Sequence, residues 1–114
     1  RNYIEKYEEP TMLRFLSLYG LIHESISQSI EEKLWAKLPS FYVDKHFIRL
    51  IPFKDHINIE AKAIISHRKE LSEYKITPKG MLKIYHNQPI PSDVIKSIFK
   101  ESVESIETSH QTIL

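Results

Sequence analysis

The chain has 114 residues, 41% hydrophobic and 27% charged, with a formal net charge of +1, which fits one folded domain over 1–114 with its core at about 11–107 and is too apolar for a disordered chain. It contains no cysteine, so disulfides, thiolate metal sites and a cysteine nucleophile are excluded. The only glycines, Gly20 and Gly80, are too few for a phosphate-cradling loop, and no apolar run reaches the roughly 18 residues of a membrane span; a soluble, cytoplasmic protein is the expectation.

In chain order, Met12, Phe15, Leu16, Tyr19, Ile22 and Ile26 recur at three- and four-residue steps. That spacing predicts an amphipathic helix over 11–27, with Thr11 as N-cap and Gly20 weakening its middle. Ile30 to Ala36 reads as a first strand, and Pro39, which cannot donate a ladder bond, belongs at a bend or strand edge. Ser40 to Val43 and His46 to Phe53 are rich in aromatic and β-branched residues, and the polar pairs Asp44-Lys45 and Lys54-Asp55 are turns of a meander. In His56 to Glu60 the isoleucines alternate with polar residues, as in a half-buried antiparallel strand. Ala61, Ile64, Ile65, Arg68 and Leu71 return to helical spacing and predict a second helix over 61–73, and Tyr74 to Gly80 reads as connection. Met81 to Tyr85 is a last strand, and Ser92 caps a final helix over 92–106 on the stripe Ile95, Ile98, Phe99, Ser102 and Ile106, with fraying beyond. The expected fold class is α+β, an antiparallel sheet packed against N- and C-terminal amphipathic helices. Leu16, Tyr19, Ile22, Ile48, Leu50, Ile57, Ile59, Ile95, Ile98 and Phe99 are its expected core.

The near-zero net charge hides a pattern. Residues 1–32 carry three basic and six acidic side chains, whereas 62–83 carry six basic and two acidic. This could mark faces for a cation and for an acidic partner, although such charges more often only solvate exposed faces. The aromatic residues sit mostly at core-facing positions, so nucleic acid is not the expected partner. No nucleophile–base pair, HExxH or GxSxG motif is present, and the chain reads as a non-enzyme.

Two sets of residues could bind something. Glu24, Glu31 and Glu32 with His23 could converge on one edge as a weak, water-retaining site for a hard cation, against the commoner reading of a solvated acidic edge. His46 and His56 start adjacent strands and could likewise approach each other, although solvated turn histidines are the commoner reading. Trp35 with Lys69, Lys75 and Lys79 could serve partner binding.

The strings EEKLWAKLPSFY, IPFKDHINI and ELSEYKITPKGMLKIYHNQPIPSDVIKSIFKESVE resemble the YdhG-like family, small bacterial proteins long labelled a domain of unknown function. Glu31, Glu32, Pro39, Phe41, Phe53, His56, Leu71, Tyr74, Lys79, Gly80, Pro89 and Pro91 match its pattern, over about Met12 to Glu104. The chain departs from it where Ala36 replaces the usual aromatic residue, Trp35 stands one position early and Lys37 replaces a glycine. The resemblance implies a frataxin-like fold and an iron-binding or iron-delivery chaperone. Fe2+ would be held weakly rather than as a tight cofactor, for iron–sulfur or haem assembly proteins. No membrane partner and a monomer or weak dimer are the expectation. A protein-interaction or small-ligand-binding module without a metal is the alternative.

Overall fold

The computed structural model describes residues 6–104. Helix α1 (Glu9–Ser25) leads into strands β1 (Glu31–Trp35), β2 (Leu38–Val43), β3 (His46–Pro52) and β4 (His56–Glu60). A 3-10 helix (Lys62–His67), strands β5 (Lys75–Ile76) and β6 (Leu82–Tyr85), and helix α2 (Ser92–Val103) complete it. The six strands form one antiparallel sheet in the order β1-β2-β3-β4-β6-β5. This is the expected α+β class. No helix among the described residues is long and apolar enough to cross a membrane.

Register shows why one face is covered. Phe41 pairs with Ile48, Leu50 with Ile59, and Ile57 with Ile84, and every one of these is buried. Because side chains alternate along a strand, Ser40, Tyr42, Phe47, Arg49, Asn58 and Glu60 fall on the opposite face. Both helices pack on the apolar face: Phe15, Leu18 and Ile22 of α1, and Ile95, Ile98 and Phe99 of α2, join one core cluster. At roughly 1.5–3 kcal/mol for each fully buried large apolar side chain, this face supplies the main favourable term of folding.

Five expectations change. Thr11 is not an N-cap: α1 begins at Glu9 after Glu8, and Pro10 suits the first turn because it needs no N–H there. Thr11 lies buried inside the helix, its hydroxyl within 3.2 Å of the Phe53 carbonyl and 2.9 Å of His86 Nε2. The α1 stripe is turned by a fraction of a turn, so Leu18 is buried, Tyr19 half-buried and Leu16 36% exposed. The expected helix over 61–73 is a 3-10 helix of six residues followed by turns. Ala61, Ala63 and Ile64 bury themselves on a spacing that no α-helical stripe matches, and the segment has no side-chain cap. Ile76 makes a short fifth strand within the expected connection. Pro91, not Ser92, is the N-cap of α2, and that helix ends at Val103, short of 106. Ile106 and the fraying tail lie outside the described residues.

Two features of the meander follow from backbone chemistry. Ala36 and Lys37 join β1 to β2 with φ of 52° and 70°, the φ signature of a two-residue type I′ hairpin turn. Pro39 sits opposite Leu34, one residue before β2 begins to pair with β3 at Ser40–Arg49. It therefore removes no donor from that ladder.

Candidate functional site

Alternation along β1 separates the acidic pair. Glu32 faces α1, where its Oε2 accepts from His23 Nε2 at 2.9 Å and from the Tyr19 hydroxyl at 2.7 Å. Glu31 faces the other side of the sheet, 3.9 Å from Lys33 Nζ. Glu24, one helical step past His23, turns to α2 and accepts from Lys96 Nζ at 3.4 Å. Two of the four residues meet, and the expected four-residue convergence does not form. Among the described residues no group of three or more His, Cys, Asp or Glu side chains is placed to hold a metal ion. His46 and His56 are likewise apart: they start antiparallel neighbours, and so stand at opposite ends of the sheet.

Trp35 is 54% exposed, and its ring lies over the guanidinium of Arg49 at 4.2 Å. The Phe47 ring lies at the same distance from it, and Arg49, 5% exposed, donates to Ser40 Oγ, Glu60 Oε1 and the Tyr42 hydroxyl. The aromatic residues therefore divide between the two faces, with Phe15, Phe41 and Phe99 in the core and Trp35, Tyr42 and Phe47 on the open side. This corrects the expectation that they are mostly core-facing. Lys75 shares the open face but lies on β5 at the far edge, five strand spacings from Trp35, or roughly 24 Å. Lys69 is exposed in the turns after the 3-10 helix. The four proposed partner-binding residues do not form one patch.

Lys79 belongs to a different site. Beyond the end of the sheet where β3 starts and β4 stops lies a pocket of about 310 Å³. The β2–β3 turn brings Lys45 and His46, with Asp44 taking a φ of 57° that its side chain tolerates. Phe47 and Glu60 come from the sheet, and Lys62 and Ile65 from the 3-10 helix. Thr77-Pro78-Lys79-Gly80 forms a tight turn in which Gly80 N–H donates to Thr77 O at 2.8 Å and Gly80 takes φ 89°. That turn aims Lys79 at the pocket. Ser102 of α2 closes the floor, its Oγ accepting the Ala63 N–H at 3.0 Å.

The charge here is unbalanced. Lys45, Lys62 and Lys79 make no ion pair among the described residues, and the one lining carboxylate, Glu60, is held by Arg49 at 3.0 Å. Lys62 Nζ instead lies 3.2 Å from His46 Nδ1, to which it can only donate. Three ammonium groups around a partly apolar cavity can neutralise an anion that also carries an apolar body. The sequence offered one signal for this, the basic run over 62–83. Lys45 and His46 registered there only as turn and strand-start residues.

Three titratable groups outside the pocket are shifted, the first of them the Arg14 guanidinium, which burial lowers. A hydrogen bond from His56 holds the Asp55 carboxyl below its ordinary value. Glu101, and then Glu70, raise the His67 imidazole against the opposing effect of burial. No protein-family model, curated protein or solved structure matches the chain. The family resemblance therefore rests on its motif residues alone.

Proposed function

We propose that this domain is a non-enzymatic binding module whose working site is the pocket between the β2–β3 turn, the 3-10 helix and the β5–β6 turn. Its ligand is a small organic anion: a phosphate, sulfonate or carboxylate on an apolar body. The observation that carries the reading is the set of three lysines without carboxylate partners around a cavity of about 310 Å³, a volume at the lower end of ligand pockets. Phe47, Ala61 and Ile65 supply the apolar wall. Calorimetric titration with benzenesulfonate, a permanent monoanion with a ring, tests it directly. Wild type should bind it better than it binds inorganic phosphate or neutral benzyl alcohol. The Lys62→Met/Lys79→Met variant should bind at least tenfold more weakly, about 1.4 kcal/mol, while Lys54→Met at the opposite end of the sheet should change nothing. Equal affinity in the double variant would end the reading.

A second reading comes from the YdhG-like resemblance, iron delivery to a cytoplasmic assembly partner. The observation favouring it is the His23–Glu32 contact of 2.9 Å at the sheet edge, where an imidazole and a carboxylate lie within reach of one ion. An anaerobic ferrous-iron titration in which His23→Ala/Glu32→Ala abolishes binding would support it, and unchanged binding would remove it.

A further inference from the structure

The 3-10 helix supplies Lys62 and Ile65 to one wall of the pocket, and α2 supplies Ser102 to its floor. Two polar ties hold these elements together. One is the Ala63 N–H to Ser102 Oγ bond at 3.0 Å. The other runs through His67, whose side chain is 14% exposed and whose two ring nitrogens both face carboxylates. Nδ1 lies 2.5 Å from Glu70 Oε1, in the turn that follows, and Nε2 lies 2.9 Å from Glu101 Oε1 on α2.

A neutral imidazole has one N–H and one lone pair, so it can donate to only one of these carboxylates. Only the imidazolium satisfies both. In the neutral ring a lone pair would face a carboxylate oxygen at hydrogen-bond distance, and one of the two contacts must open. Glu70 and Glu101 are the charged groups that face His67, from the turn after the 3-10 helix and from α2 respectively.

We propose that the Glu70–His67–Glu101 bridge makes ligand binding in the pocket pH-dependent: the imidazolium donates to both carboxylates and fixes the 3-10 helix and its following turn on α2, whereas the neutral ring donates to one and leaves that junction looser. The inference rests on the anion-binding reading of the pocket. The carboxylates raise the imidazole above its ordinary value, Glu101 most strongly, so the joined state extends upward from about pH 6.5 before it is lost. Linkage requires the reciprocal effect, in which a bound anion makes His67 harder to deprotonate.

The test is a benzenesulfonate titration between pH 5.5 and 8.5, a range over which the probe keeps its charge. It is run on wild type, His67→Gln and His46→Gln, because His46 is the imidazole that lines the pocket itself. Wild type should bind about fivefold more weakly at the top of the range. His46→Gln should keep most of that loss, and His67→Gln should be nearly flat. The His67 titration followed by NMR should move to higher pH when benzenesulfonate is added to wild type. A pH dependence that survives in His67→Gln and disappears in His46→Gln overturns the proposal, as does a His67 titration unmoved by the probe. Absence of benzenesulfonate binding by wild type at every pH is the separate outcome in which the pocket reading itself fails.

Discussion

Gly20 and Lys37 stand in each other's natural places. Gly20 lies within a continuous α1, and a Cβ there would meet nothing within 4 Å. Gly20→Ala should therefore stabilise the protein by about 0.8–1 kcal/mol, the difference in helix propensity. Lys37 has φ 70° in a two-residue hairpin turn, where an L side chain costs roughly 1–2 kcal/mol. Lys37→Gly should stabilise by about 1 kcal/mol after the extra chain entropy of glycine is counted. Gly80, at φ 89°, is needed where it stands, and Gly80→Ala should destabilise by about 1–2 kcal/mol, the cost of a left-handed backbone for an L side chain. Urea unfolding midpoints check all three, and a drop in either of the first two variants would contradict the backbone argument.

At the scale of elements, α2 is the amphipathic partner that closes the core. Ile98 and Phe99 are fully buried in it, and truncating either to alanine should cost about 2–5 kcal/mol through lost burial and a residual cavity. Midpoints that barely move would show that α2 does not seal the sheet. His67 ties α2 to the 3-10 helix, and its folded-state pKa is raised. The stability it contributes is complete below the unfolded value of about 6.5 and is lost as pH rises through the folded value. The stability difference between wild type and His67→Gln should therefore shrink from about pH 6.5 upward, and a difference that grows with pH would contradict the bridge. Where local pattern and tertiary environment agree, the elements were legible: strict alternation gave β4 as His56–Glu60 to the residue, and the stripe of Ile95, Ile98 and Phe99 gave α2. α1 carries apolar residues around much of its circumference, with Leu13 54% exposed, so periodicity alone could not choose the buried stripe. The 3-10 helix was missed because Ala61 and Ile64, three residues apart, fit both periods over so short a span, while Ile65, the α-helical i+4 position, is 55% exposed. The acidic site was misjudged for a simpler reason. Neighbouring residues on a strand face opposite ways, so Glu31 and Glu32 could not share an ion from one face of β1.

For the whole molecule, the distribution of charge matters more than the net value of +1. The acidic side chains of α1 and β1 are largely engaged, Glu24 by Lys96 and Glu32 by His23 and Tyr19. The lysines at the pocket have no such partners. Because three separate chain segments bring Lys45, Lys62 and Lys79 to one cavity, the site could be read only after the fold. Amide shift mapping during a benzenesulfonate titration tests the central claim most directly, since it reports where the anion sits as well as whether it binds. The moving amides should cluster at residues 45–47, 60–65, 79–80 and 102, and should stay still in Lys62→Met/Lys79→Met. Shifts centred on Trp35 or on His23 and Glu32, or shifts unchanged in that variant, would contradict the assignment of the pocket as the binding site.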